Sequence, residues 1–145
     1  MSRPRIALID PTLSRRLAVT AALASDFDVV TCPDRDDPVR FVRNVRPTLA
    51  WIGVDRAEGA RRLLQALRTD ARPVARIALH DPEARLATDA RVAPALGADG
   101  WCAIEGDAAR LRAFAHDVLA DRKPWIPEQS SGVASWVRRV VGRLR

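Results

Sequence analysis

The chain has no tyrosine, a single methionine, a single lysine, two histidines and two cysteines among its 145 residues. Cys32 and Cys102 lie in apolar segments without CxxC or zinc spacing. This argues against a disulfide framework or a thiolate metal centre and leaves two buried, reduced thiols. The histidines, His80 and His116, fall in different elements, which argues against a two-histidine metal site. No apolar run approaches the roughly 20 residues needed to cross a bilayer. The stretch Ile6–Ile9 behind the first arginines is too short for a secretory core, so a cytoplasmic protein is expected. The strings GxxxxGK, GxGxxG, GxSxG and HExxH are all missing, and no nucleophile–base pair stands out, so no enzymatic activity is expected. There is no internal repeat and no low-complexity stretch.

What is present fits one soluble domain, with 48% apolar and 29% charged residues. Arginine supplies almost all of the 24 basic side chains. With abundant alanine, this points to a GC-rich bacterial genome rather than to a functional demand. The net charge of +6 is unevenly placed. Residues 122–145 carry Arg122, Lys123, Arg138, Arg139, Arg143 and Arg145 against Glu128 alone, whereas the preceding body is nearly neutral.

Along the chain, short apolar runs alternate with helical periodicity. Ile6–Ile9, closed by Asp10-Pro11, reads as a strand buried on both faces. Leu13, Leu17, Thr20, Ala21 and Ala24 recur at helical spacing and predict a helix over 12–24. Residues 27–32 form a second strand. Asp37-Pro38 caps a helix that ends before Pro47. Leu49–Val54 is the third strand, followed by a helix over 57–69. Ala75–Leu79 is the fourth, and Asp81-Pro82-Glu83 starts a weak helix that Pro94 should end. Gly97–Gly100 turns the chain into a fifth strand, 101–104, and Asp107 caps a last helix carrying Leu111, Phe114, Val118 and Leu119. Five such units call for an α/β fold, a doubly wound five-stranded parallel sheet with right-handed crossovers.

In their lengths and turn residues, the five units over about residues 3–122 resemble the receiver domain of bacterial two-component response regulators. The resemblance rests on Arg5–Asp10 as the first strand with its acidic end, Arg46-Pro47-Thr48-Leu49 entering the third strand, and Leu96–Trp101 as the glycine–alanine–aspartate–aromatic turn before the fifth. It implies a flavodoxin-like (βα)5 receiver fold. It also implies a phosphorelay site at the carboxyl ends of the strands: paired acids and an acceptor aspartate around magnesium, then a hydroxyl and a lysine that hold the phosphoryl group. Here the acidic pair falls on Asp10 and Pro11, the acceptor on Gly53, the hydroxyl on His80 and the lysine on Ile104. The site therefore reads as degenerate, an atypical pseudo-receiver without cofactor. Asp55, two residues past Gly53, is the alternative acceptor; with Asp10, Asp81 and Glu83 it would form an acidic mouth for magnesium. His80 reads either as a hydrogen-bonded structural residue or as a pH-sensitive group.

Residues 123–132, with two prolines and a polar stretch, read as a linker. Beyond it, over 133–145, Val133, Trp136, Val137, Val140, Val141 and Leu144 form one apolar stripe of an amphipathic helix flanked by Arg138, Arg139 and Arg143. The stripe suits three destinations: the protein's own body, a second copy or protein partner, or an anionic surface of nucleic acid or lipid. In the receivers it resembles, phosphorylation alters the surface of the fourth helix, fifth strand and fifth helix. Arg85, Arg91, Trp101, Arg110 and Arg112 are the expected contributors to partner binding there. The resulting expectation is a phosphorylation-independent regulatory protein that works by protein–protein binding, plausibly as a homodimer. A residual phosphorelay receiver and a tail-mediated nucleic-acid or membrane binder are its alternatives.

Overall fold

The computed structural model describes residues 2–69, 75–86 and 91–127. The 133–145 stripe, with Val133, Trp136, Val137, Arg138, Arg139, Val140, Val141, Arg143 and Leu144, lies outside them. The elements run β1 (Arg5–Ile9), α1 (Leu13–Leu23), β2 (Asp28–Thr31), α2 (Pro38–Val45), β3 (Leu49–Gly53), α3 (Ala57–Thr69), β4 (Arg76–His80), α4 (Val92–Ala95), β5 (Gly100–Cys102), α5 (Ala108–Leu119) and β6 (Trp125–Ile126). All strands are parallel, in the order β2-β1-β3-β4-β5-β6. The order reverses between β1 and β3, which places a switch point at their carboxyl ends.

Side chains of the central strands alternate between two cores, as a twofold pleat requires. Ile6, Leu8, Leu49, Trp51 and Cys102 pack with α1 and α5, while Ala7, Ile9, Ala50, Ile52 and Trp101 pack with α2 and α3. The helix starts follow the capping chemistry: the Asp37 and Asp107 carboxylates accept from the Val39 and Arg110 amides.

The helix expected over 12–24 is α1, whose inward face is Val19, Ala22 and Leu23, while Leu13 and Leu17 are 61% and 64% exposed. Two expectations are corrected. Among the described residues, 81–86 are not helical and α4 is the turn Val92–Ala95, which contains Pro94 instead of ending before it. The segment read as the start of a linker supplies a sixth strand: Trp125 pairs with Trp101, and Ile126 with Cys102. The two indoles stack with centroids 4.1 Å apart, so an aromatic pair holds this short edge strand in place.

Candidate functional site

The carboxyl ends of β1 and β3 carry one ion pair that governs the whole edge. Asp10 directly follows β1 and its side chain is fully buried. Its Oδ1 accepts from the Thr12 amide at 2.9 Å. Arg15, in the first turn of α1, donates from Nη2 to Oδ1 at 2.8 Å and from Nε to Oδ2 at 2.9 Å, a bidentate fork. Its remaining Nη1 donates to the Val54 carbonyl at 3.0 Å, tying α1 across to the end of β3. The Asp10 carboxylate thereby faces a guanidinium and accepts three hydrogen bonds, with both oxygens engaged.

Gly53 lies directly beneath this pair. A Cβ on Gly53 would sit 2.0 Å from Asp10 Oδ2 and 2.2 Å from its Cγ. The position expected for an acceptor therefore has no side chain, and the volume a side chain would need is filled by Asp10. Arg15 is the residue that sequence reasoning missed. Its signal was an arginine one helical turn beyond a buried strand-end acid, a spacing that closes an ion pair within one βα unit.

At the other end of the edge, Ile104 is fully buried in the α1/α5 core, and its carbonyl meets His80 Nε2 at 2.7 Å. A carbonyl only accepts, so Nε2 carries the proton and Nδ1 is left as a bare acceptor. His80 is 2% exposed, and Nδ1 has no hydrogen-bond partner among the described residues. Burial lowers the imidazole pKa below its ordinary 6.5, against the smaller opposing effect of the Ile104 hydrogen bond. His80 thus stands as a neutral bridge from β4 to the segment after β5, packed at 5.4 Å against Trp51.

Asp81 was expected at an acidic mouth and instead is fully buried. It accepts from the Arg85 and Leu86 amides, each at 2.9 Å, and from Trp101 Nε1 at 3.1 Å. Its carboxylate therefore folds the β4–α4 connection, in which Ala84 takes a left-handed conformation (φ 51°). Glu83 pairs with Arg85. Asp55 is exposed on the loop after β3.

The residues present do not fit a magnesium ion. Both Asp10 oxygens are taken by Arg15, Gly53 offers no ligand, and Asp81 is committed to backbone and indole donors. No group of three or more metal-ligating side chains comes together among the described residues.

One expected partner contact is likewise corrected. Trp101 is 1% exposed, stacked on Trp125 and bonded to Asp81, so it is a core residue. Arg112 donates to the Ala22 carbonyl at 3.1 Å, which joins α5 to α1. Arg110 is half-buried, with Nη1 buried and unpartnered.

Beside the Asp10–Arg15 pair lies a cleft of about 370 Å³ between the ends of β1 and β3 and the starts of α2 and α3. Ile9, Ile52, Ala60 and Leu63 form part of its wall, and Asp34, Asp36, Asp55 and Arg56 line it as well.

No family model and no curated protein matches the chain. Solved structures do. A response regulator from Thermotoga maritima superposes with a TM-score of 0.68 at 19% identity, covering 81% of this chain and 98% of its own. The chemotaxis response regulator CheY4 of Vibrio cholerae gives 0.67 at 18% identity, with coverage of 81% and 99%. A response regulator from Desulfuromonas acetoxidans gives 0.58 at 22%, with coverage of 80% and 96%. The chain has the receiver fold. At these identities the likeness concerns the architecture alone, and the receiver fold here carries an arginine-locked aspartate over a glycine at the switch point. Among the described residues no helix is long and apolar enough to cross a membrane.

Proposed function

We propose that the chain is a pseudo-receiver: a regulatory domain that works by binding protein partners in signal transduction and takes no phosphoryl group. The observation that carries this reading is the Asp10–Arg15 fork seated over Gly53. Phosphoryl transfer is mostly positioning and charge neutralisation around a metal-held acceptor. Here the neutralising cation is a side chain of the protein, and the acceptor's place is filled. The receiver architecture, shared with response regulators, supports a role in signalling without catalysis. The buried Ile104 at the lysine position supports a surface set by packing rather than by a phosphoryl contact.

The test is a backbone amide NMR spectrum recorded with magnesium and beryllofluoride, a phosphoryl mimic that ordinary receivers bind at the acceptor aspartate. The reading expects unchanged positions for the amides of Asp10, Val54, His80 and Ile104. Coherent shifts of these amides that vanish in Asp55→Ala would show that Asp55 still supplies an acceptor with magnesium, and would overturn it.

A further inference from the structure

We infer that the cleft at the β1/β3 switch point is a binding site for a small apolar cation, an organic amine with a hydrocarbon or aromatic body. This goes beyond the reading above, which needs only a closed phosphorylation site. The cleft's volume, about 370 Å³, lies in the range of small-molecule pockets. Its position is the crevice outside the strand ends where open α/β sheets hold ligands. Its walls are apolar, from Ile9, Ile52, Ala60 and Leu63, and three prolines, Pro11, Pro33 and Pro38, restrict the backbone around it.

Charge selects the class of ligand. Four aspartates line the cleft against one arginine, Arg56. Asp10 is neutralised by Arg15 and Asp34 pairs with Arg16. Asp36 and Asp55 are exposed and have no ion-pair partner among the described residues. An anion would meet two unmatched carboxylates, whereas an ammonium group would pair with them while its body lies along the apolar wall. The Cys32 thiol in the wall reports the same field: burial raises its pKa, and Asp36, Asp34 and Asp37 raise it further.

Gly59 supplies the decisive variant. It lines the cleft from α3, and a Cβ there meets nothing within 4 Å. A side chain can therefore start from the exposed rim of the cleft at this position, and replacing glycine favours the helix. The experiment titrates the full chain with phenethylamine, phenethyl alcohol and phenylacetate, reading amide shifts by NMR. The expected result is saturable shifts at Ile9, Ala60 and Leu63 with the amine, several-fold weaker binding of the alcohol, and none of phenylacetate. Gly59→Leu should fold with raised stability and lose the amine response. Asp36→Asn with Asp55→Asn should make amine and alcohol bind equally. Absence of saturable shifts with the amine, equal or tighter binding of phenylacetate, or an unchanged response in folded Gly59→Leu would each overturn the assignment. None of these outcomes touches the beryllofluoride result, so the two readings fail separately.

Discussion

Replacing Arg15 by methionine keeps the apolar stem and removes the guanidinium from a fully buried carboxylate. Three hydrogen bonds disappear, two to Asp10 and one to the Val54 carbonyl, at 2.8 to 3.0 Å. Asp10 then keeps the Thr12 amide as its charge-stabilising donor. Leaving one partner of a buried pair costs about 3–5 kcal/mol. The Arg15 side chain is 17% exposed, so water can reach the vacated space and the cost should fall at the lower end, about 3 kcal/mol. For a domain of this size that corresponds to a melting temperature lowered by roughly 10 °C. Urea unfolding of wild type, Arg15→Met, Asp10→Asn and the double variant forms a cycle that isolates the pair. The reasoning requires the two single losses to exceed the double-variant loss by about 2 kcal/mol or more. A loss below about 1 kcal/mol for Arg15→Met, the cost of an exposed pair, would refute the lock.

Gly53→Ala should destabilise by about 1–3 kcal/mol, because its Cβ enters the space of the Asp10 carboxylate, and urea midpoints would show it. His80 has a folded pKa below its unfolded value, so the unfolded chain binds the extra proton. Stability should then fall as pH drops below about 6.5, with the loss levelling off beneath the lowered folded pKa. His80→Gln should remove that acid-side slope in a pH series of denaturation curves. Trp101→Phe deprives Asp81 of an indole donor and should cost about 1–3 kcal/mol, with proteolysis at the β4–α4 connection as the local readout. The Cys102 thiol, pushed up to about 12 by burial, should resist alkylation at neutral pH until the chain unfolds.

The strands and most helices were legible because each buried strand is a short apolar run and the caps are chemically explicit, as at Asp37-Pro38 and Asp107. At α1 the spacing marked the helix but not the face it buries. Leu13 and Leu17 share a helical face with Ala21, but the body buries the smaller face of Val19, Ala22 and Leu23, where α5 packs closely. The sixth strand was hidden by Pro124 and Pro127. Those prolines bound a two-residue strand whose pairing rests on a tertiary contact, Trp125 on Trp101. At the site, the residue types at Asp10, Gly53, His80 and Ile104 suggested the reading proposed above. Their geometry was not read: the signal for the pair, an arginine in the first helical turn after the strand-end acid Asp10, went unused. Asp81 looked like a helix-start residue when it binds two amides and an indole. Trp101 looked like a surface aromatic because strand parity near a sheet edge does not say whether a further strand covers it.

The claim at the centre is that this receiver fold takes no phosphoryl group. The most direct test is intact mass after incubation with acetyl phosphate and magnesium, on wild type and on Asp55→Ala. An unchanged mass for both proteins is predicted. A stoichiometric gain of one phosphoryl group on wild type would contradict the account, and its loss in Asp55→Ala would name Asp55 as the acceptor.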